Sequence, residues 1–149
     1  MAIPMPVVRL FNPIVGWLLR SPIHGLMSKE TMLITFTGRK SGRNYTTPVS
    51  YVRDGDVVRL FTPFPWWRNL VAHPEVTLVL EGSERRGTAQ IERDDRPRVL
   101  EAIREFLERV PRDDVYFERD VDGELTGIST IDGKFVPTVM VEIRLVSGG

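Results

Sequence analysis

Residues Gly38 to Arg43 form a short connection whose composition suits the binding of an anion. The connection holds two glycines and three cations, Arg39, Lys40 and Arg43. Glycine lets the backbone turn tightly and direct its N–H groups at a ligand, while arginine and lysine supply charge for a phosphate or a carboxylate. The connection by itself also allows an ordinary solvated hairpin turn. The motifs further along the chain favour an anion-binding turn.

A second candidate for ligand contact is the segment Trp66-Trp67-Arg68-Asn69, which opens a short predicted helix after Pro65. Adjacent residues on a helix point to different faces, so one tryptophan is expected in the core while the other can form a wall against a flat ligand. Packing of both tryptophans in the core is the alternative. Asn69 shares a helical face with Trp66, and its amide can hydrogen-bond a ligand there.

The composition gives little support to other kinds of chemistry. The 149 residues include no cysteine and only two histidines, which argues against a disulfide framework, a thiolate nucleophile and a zinc or iron site. Neither histidine stands in a pattern typical of a catalytic triad, and a strand rather than a helix follows the Gly-Arg-Lys-Ser-Gly run, unlike in a P-loop. The sequence therefore predicts no metal and leaves any catalytic residue unknown.

The charge of the chain is balanced in total but unevenly distributed. Residues 1–90 hold 11 cations and 6 acidic residues, whereas residues 91–149 hold 9 and 14. A net charge of zero argues against nucleic-acid binding, which needs a broad basic surface, and a local cationic cluster fits a small anionic ligand better. No signal peptide and no stretch of roughly 20 apolar residues is evident, so a cytoplasmic protein is expected.

The order of apolar and turn residues predicts one domain, residues 1–149, that is mainly β with flanking helices (α+β). Residues 30–92 contain short apolar runs separated by turn residues, which is typical of the hairpins of a small barrel. An amphipathic helix, capped by Asp94 or Asp95, is predicted at 96–110. The predicted strands are 32–37, 45–53, 57–62, 76–81, 85–92 and a closing strand, 136–146.

The N-terminal residues 1–28 are predicted to be helical, with breaks at Pro13 and Pro22. Their broad apolar surface has two interpretations. It either flanks the core, or it contacts a membrane surface through residues 5–20, with Trp17 at the level of the lipid headgroups. The second interpretation would place the protein at the inner face of the cell membrane.

Several spaced motifs, in the same order, resemble the deazaflavin-dependent nitroreductase family over about residues 30–92. The first motif runs from Leu33 to Gly42 and ends in Gly-Arg-Lys-Ser-Gly. Thr46-Thr47-Pro48 and Tyr51-Val52-Arg53-Asp54-Gly55-Asp56 follow. The last motif, Trp66 to Val76, is similar to the W-x-x-N-L-x-A-x-P-x-V segment of that family. A weaker similarity continues in 137–146.

This resemblance implies a split β-barrel of the FMN-binding-like kind that binds coenzyme F420, a deazaflavin with a phosphate and an oligoglutamate tail. It implies hydride transfer from the reduced cofactor to a small hydrophobic electrophile such as a quinone, an enone or a nitro compound. A homodimer is a further expectation. The implied cofactor contacts are Arg39, Lys40, Ser41, Gly42 and Arg43 at the anionic groups, and Thr47, Pro48, Thr62, Trp66 and Asn69 around the ring.

The chain departs from the family pattern at two places near the expected ring site. The loop after the third strand is reduced to 61–65, where two prolines remove backbone donors, and Tyr45 stands where family members often have arginine. A non-redox split barrel that binds a fatty acid or another lipid is therefore an alternative, and an FMN-binding reductase is another. Tyr116, in the segment before the last strand, is the candidate hydrogen-bond donor to a substrate.

Overall fold

A computed structural model describes residues 8–9 and 30–146 of the chain. These residues form ten β-strands, two α-helices and one 3-10 helix. The strands are β1 (Val8–Arg9), β2 (Thr31–Thr37), β3 (Asn44–Ser50), β4 (Val52–Asp54), β5 (Val57–Thr62), β6 (Glu75–Leu80), β7 (Ser83–Glu92), β8 (Ile128–Ile131), β9 (Lys134–Pro137) and β10 (Val139–Leu145). The helices are α1 (Trp67–Ala72), α2 (Arg96–Arg109) and the 3-10 helix Pro111–Tyr116.

Eight of the described strands form one antiparallel sheet in the order β1-β3-β2-β6-β7-β10-β5-β4. The hairpins β2–β3, β4–β5 and β6–β7 follow the chain, whereas β10 inserts between β5 and β7. Only Tyr51 separates β3 from β4. These two strands lie near opposite ends of the strand order, so the sheet curls into a half-open barrel. The predicted mainly β split barrel with flanking helices is confirmed.

The main core lies inside this barrel because each strand turns its alternate side chains inward. In β5 the fully buried positions are Val58, Leu60 and Thr62, while the residues between them are only half buried. The short helix α1 packs against β2 and β7 and adds Leu70 to the core. Other buried members of this core are Met32, Ile34, Phe36, Leu78, Leu80, Val141 and Ile143.

Helix α2 packs on the outer side of the sheet and forms a second core. It begins as predicted, because the Oδ1 of Asp95 accepts a hydrogen bond from the backbone N–H of Arg98 at 3.2 Å. Its apolar stripe meets Met140, which is buried on the opposite side of β10 from Val141. The stripe consists of Val99, Ile103, Phe106 and Leu107.

Two arginines join α2 to the sheet through Glu142. Its Oε2 accepts from Arg59 Nε at 2.6 Å, and its Oε1 accepts from Arg98 Nη2 at 3.0 Å. Burial by itself would raise the pKa of Glu142, but the hydrogen bonds from Arg59 and Arg98 outweigh it and hold this pKa below its usual value. The ionised carboxylate therefore connects β5, β10 and α2.

The N-terminal prediction is wrong where the structure describes that segment. Val8–Arg9 is a strand, not a helix, and pairs with Thr46 and Tyr45 at the edge of β3. A β-branched residue suits a strand, and the edge of a sheet offers unpaired backbone groups. The rest of the predicted helical segment 1–28, with most of the proposed membrane contact at 5–20, lies outside the described residues. Within the described part, no helix is long and apolar enough to cross a membrane.

Two of the predicted strands are divided. The closing strand 136–146 is interrupted at Thr138, because Pro137 has no N–H and the N–H of Thr138 donates to Gly127 O at 2.8 Å outside the ladder. The predicted strand 45–53 is interrupted at Tyr51, whose N–H donates to Glu30 O at 3.0 Å. In the closing strand, residues 136–137 lie before the break at Thr138 and belong to β9, which pairs with β8 in a separate two-stranded sheet.

Candidate functional site

The Gly38–Arg43 turn is closed by its own backbone. The N–H of Gly38 donates to Arg43 O at 2.7 Å, and the N–H of Gly42 donates to Gly38 O at 2.9 Å. The N–H of Arg43 donates to Ser41 Oγ at 3.2 Å. These internal bonds occupy N–H groups that the sequence suggested for a ligand. The turn therefore presents side-chain charge rather than a cradle of free backbone donors.

The close packing of this turn requires a glycine at position 38. A Cβ at Gly38 would lie 2.8 Å from Tyr45 Cε2 and 2.9 Å from Ser41 Oγ. Ser41 Oγ also lies 3.2 Å from the Tyr45 hydroxyl. Tyr45, the residue that replaces the family's common arginine, is thus part of the support of the turn.

The three cations of the turn are exposed, and within residues 30–146 none of them forms an ion pair. Their charge is therefore available to an anionic ligand. By contrast, most of the other arginines of the described part pair with a carboxylate. The three unpaired cations of the turn are Arg39, Lys40 and Arg43.

Asn69 connects this turn to helix α1. Its Oδ1 accepts from both the backbone N–H and the Nη1 of Arg39, each at 2.9 Å. Its Nδ2 donates to Trp66 O at 3.0 Å. Asn69 is only 9% exposed, so this arrangement is fixed from both sides. The direct hydrogen bond from Asn69 to a ligand stays a prediction, and the structure gives its amide a positioning role.

A cavity of about 470 Å³ brings together four of the predicted residues. They come from β3, from the end of β5 and from the residue before α1, and they are Thr47, Pro48, Thr62 and Trp66. Tyr116, the candidate substrate-side donor, lines the same cavity. The turn residues 39–43 do not line it and are joined to it through Asn69 and Trp66.

Both tryptophans are buried in the main core, which agrees with the alternative interpretation of this pair. Trp66 stacks on Phe36 with ring centroids 5.1 Å apart and also lines the cavity. Trp67 is buried and lies beneath the guanidinium groups of Arg68 and Arg93, at 5.4 and 5.1 Å from its ring centroid. Both tryptophans therefore belong to the core, and Trp66 also forms an aromatic part of the cavity wall.

The shortened loop after β5 offers few backbone donors to the cavity. Pro63 and Pro65 have no N–H, and the N–H of Phe64 donates to Thr62 Oγ1 at 3.1 Å. The hydroxyl hydrogen of Thr62 can still be donated, because this hydroxyl only accepts in that bond. Side-chain hydroxyls such as those of Thr62 and Thr47 thus replace backbone contacts at this wall.

Another part of the cavity wall is aromatic. Phe61 lies 5.2 Å from Phe106 and 6.4 Å from Phe117 between ring centroids, and all three residues line the cavity. Sequence reasoning missed this wall, since Phe106 belongs to the apolar stripe of α2 and Phe117 stands alone in a polar segment. The only signal was the pair of adjacent aromatics at 116 and 117.

The 3-10 helix adds charged residues that the sequence analysis also missed. Arg112 reaches across to the start of β2: its Nη1 pairs with Oε1 of Glu30, the residue before the strand, at 2.8 Å, and its Nη2 donates to Thr31 Oγ1 at 3.0 Å. Asp113 is buried, and both Arg112 and Asp113 line the cavity. These contacts fix the 3-10 helix beside the open edge of the barrel.

Solved structures of other proteins share this fold. A FAD-binding protein from Mesorhizobium loti has a TM-score of 0.53 at 14% identity, with 96% of this chain and 95% of that chain covered. An F420 reductase has a TM-score of 0.51 at 17% identity, with coverages of 85% and 95%. A protein described as a domain-swapped dimer has a TM-score of 0.52 at 18% identity, with coverages of 87% and 94%. At these identities the likeness shows the fold alone.

The sequence itself gives a closer assignment. Among curated proteins, none matches this chain. Residues 20–119 match the family described as F420H(2)-dependent quinone reductase. This match covers more than half of the chain and confirms both the deazaflavin-dependent relationship and the F420 cofactor predicted from the spaced motifs. The chain belongs to the F420H(2)-dependent quinone reductase family.

Proposed function

We propose that this protein reduces a quinone with F420H2, and that the two molecules meet in the cavity beside Trp66. The observation that carries the proposal is that the cavity and the cationic turn are connected. A hydroxyl-rich and aromatic cavity is linked, through Asn69, to an exposed turn with three unpaired cations. The family match supplies the cofactor and the class of substrate.

The residues present fit this cofactor. Its phosphate and carboxylates match the charge of Arg39, Lys40 and Arg43, and its flat ring matches the face of a fixed tryptophan. The polar edge of the ring can be met by the hydroxyls of Thr47 and Thr62. The cavity is large enough for a small aromatic system, because ligand pockets typically measure about 300–1,000 Å³.

When bound, the reduced cofactor supplies a hydride and a proton, which together convert a quinone into its hydroquinone. The residues of the chain then have positioning tasks. Trp66 and Phe36 form a rigid aromatic wall, and the phenylalanines at the other wall provide apolar surface for a quinone. The half-exposed hydroxyl of Tyr116 can donate a hydrogen bond to a quinone oxygen. Holding the cofactor ring and the quinone ring close together in the correct orientation accounts for much of the rate enhancement of such a hydride transfer.

Lys40→Ala tests the anion site. A charge-assisted contact contributes about 1.5–3 kcal/mol, so we expect F420 affinity to fall at least about tenfold. The measurement is a calorimetric titration of the purified protein with F420, with FMN as the competing cofactor. Lys134→Ala, an exposed lysine on β9, is the matched control and should bind F420 like the wild type. Unchanged affinity in Lys40→Ala would contradict the assignment of the anion site.

A second candidate function is the binding of an apolar molecule without redox chemistry. It is favoured by the loop after β5, where the N–H of Phe64 is already bonded within the loop, and by the aromatic wall of the cavity. Native mass spectrometry would then reveal a co-purified fatty acid or other lipid, and the titration would show no affinity for F420 or FMN. Saturable F420 binding would remove this candidate.

The wider setting of the reaction is also proposed. Quinones with apolar tails dissolve in membranes, and contact of residues 5–20 with a lipid surface would bring the cavity to them. Liposome co-sedimentation of the full chain measures this contact.

Homodimer formation is supported by the domain-swapped dimer of similar fold, and sedimentation equilibrium measures it.

A further inference from the structure

The cavity has a polar wall that contains three buried polar side chains. Asp113 on the 3-10 helix is 8% exposed, Ser129 on β8 is 9% exposed, and Thr138 before β10 is 2% exposed. All three line the cavity. Among residues 30–146, no side-chain hydrogen bond is formed by any of the three. Buried polar groups are nearly always hydrogen-bonded, so these groups can bond to a molecule that occupies the cavity.

Of the three residues, Asp113 has the greatest need for a hydrogen-bond donor, because its carboxylate can only accept hydrogen bonds. The nearest cation is Arg112, whose Nε lies 3.6 Å from Asp113 Oδ1, beyond hydrogen-bond distance. The guanidinium of Arg112 is held elsewhere, by Glu30 at 2.8 Å and Thr31 at 3.0 Å. Burial of a carboxylate with so few hydrogen-bond donors raises the free energy of the folded protein unless a further donor reaches it. Because Asp113 lines the cavity, a molecule bound there can supply that donor.

The chemistry of the donor follows from its surroundings. The aromatic wall of Phe61, Phe106 and Phe117 favours a flat apolar body. Glu118, exposed at the same cavity, adds a second acidic residue, while Arg112, the cation of the lining, already pairs with Glu30; this lining disfavours an anion. A neutral hydroxyl or N–H group on an apolar ring satisfies both conditions. The hydroxyls of Ser129 and Thr138 can then complete the hydrogen bonds of that substituent.

We propose that Asp113 determines substrate specificity by accepting a hydrogen bond from a neutral donor group, such as a hydroxyl, carried on the ring of the quinone. The inference rests on the proposed function and deepens it, because it names the class of quinone. Asp113 binds and orients the substituent and does not take part in hydride transfer.

The test compares two quinones that differ in one hydroxyl, 2-methyl-1,4-naphthoquinone and 2-(hydroxymethyl)-1,4-naphthoquinone. Calorimetric titrations give the affinity ratio, both for the protein alone and for the protein loaded with oxidised F420, so that no turnover occurs. A charge-assisted hydrogen bond predicts about a tenfold preference of the wild type for the hydroxymethyl compound. Equal affinities for the two quinones would overturn the proposal.

Two variants and one control assign the preference to Asp113. Asp113→Leu should lower the ratio to about one, since no acceptor remains, and Asp113→Asn should lower it to about two or three, because its acceptor is neutral. Glu118→Gln, the other acidic residue at the cavity, should keep the wild-type ratio. If circular dichroism shows that Asp113→Leu does not fold, the affinity ratio of Asp113→Asn decides. A wild-type ratio in Asp113→Asn would overturn the proposal.

Failure of this inference is distinguishable from failure of the proposed function. Saturable F420 binding together with equal affinity for both quinones would leave the reductase intact and remove the role of Asp113. Absence of F420 binding would remove the reductase. The affinity ratio measured on the unloaded protein would still support or overturn the role of Asp113 as an acceptor.

Discussion

At the scale of single residues, Asn69 shows how the cationic turn is attached to the barrel. Both of its polar atoms are engaged, the oxygen with Arg39 and the nitrogen with Trp66. The cationic turn and the aromatic wall therefore keep a fixed relation to each other. A ligand that spans both, with an anionic tail and a flat ring, meets a site whose geometry is set before binding.

Asn69→Ala should affect stability and binding together. Loss of three buried or half-buried hydrogen bonds is expected to lower the free energy of unfolding by about 1–3 kcal/mol and to weaken F420 binding several-fold, as Arg39 is no longer held. Urea denaturation and the F420 titration measure the two effects. Asn44→Ala should stay within about 0.5 kcal/mol of the wild type, because among residues 30–146 its exposed side chain accepts only from Thr37, at 3.2 Å. Wild-type values of both quantities in Asn69→Ala would show that the link is dispensable.

Residue types predicted part of this site and could not predict the rest. Cations between glycines and a pair of tryptophans are visible in the sequence, and the structure brings them to one region. The contact between Arg39 and Asn69 joins residues 30 positions apart, which no local pattern encodes. Asp113 stands among other acidic residues in the sequence, and only the fold distinguishes this buried carboxylate from its solvated neighbours.

At the scale of elements, strands with alternating burial and a capped helix were predictable. β5 has the predicted bounds Val57–Thr62, and α2 begins at Arg96 after its Asp95 cap. The β8–β9 hairpin was missed although its turn carries a strong signal. Asp132 and Gly133 both have positive φ, +51° and +77°, as the two-residue Asp-Gly turn of a hairpin requires. The polar, exposed residues around this turn gave no alternation to support it.

The attachment of α2 to the sheet predicts a pH dependence of stability. Because the folded pKa of Glu142 is lowered, its contribution is complete above the unfolded pKa, about 4.3 for a glutamate, and is lost as the pH falls through the folded value. Glu142→Gln should therefore cost about 1–3 kcal/mol at neutral pH, and the difference from wild type should shrink in acid. Urea denaturation from pH 7 to pH 3 measures it.

Glu101→Gln is the matched control for that experiment. Glu101 pairs with Arg104 within α2, and both side chains are exposed. Exposed pairs of this kind contribute about 0.3–0.5 kcal/mol, so the control should remain close to the wild type at every pH. A pH-independent loss in Glu142→Gln would mean that packing, rather than the two arginine contacts, accounts for its effect.

At the scale of the whole molecule, the Glu142 ion pairs and the cationic turn lie in different parts of the barrel. Glu142 and the α2 core stabilise the outer side of β5 and β10, whereas the cations of the turn are exposed and unpaired in the described residues. The family match ends at residue 119, before Ser129 and Thr138. The proposed cofactor turn thus lies within the family's pattern, while part of the proposed substrate wall lies beyond it, where motifs could not predict it.

This separation predicts that stability and binding can be changed independently. The double variant Lys40→Ala/Glu142→Gln should unfold with the free energy of Glu142→Gln alone, within about 0.5 kcal/mol, because the two residues share no partner. Its F420 affinity should equal that of Lys40→Ala alone. Urea denaturation without ligand and calorimetric titration with F420 complete the cycle. A coupling above about 1 kcal/mol, in the free energy of unfolding or of F420 binding, would show that the ion pairs of Glu142 affect the cationic turn. The barrel would then not be a rigid support for an independent site.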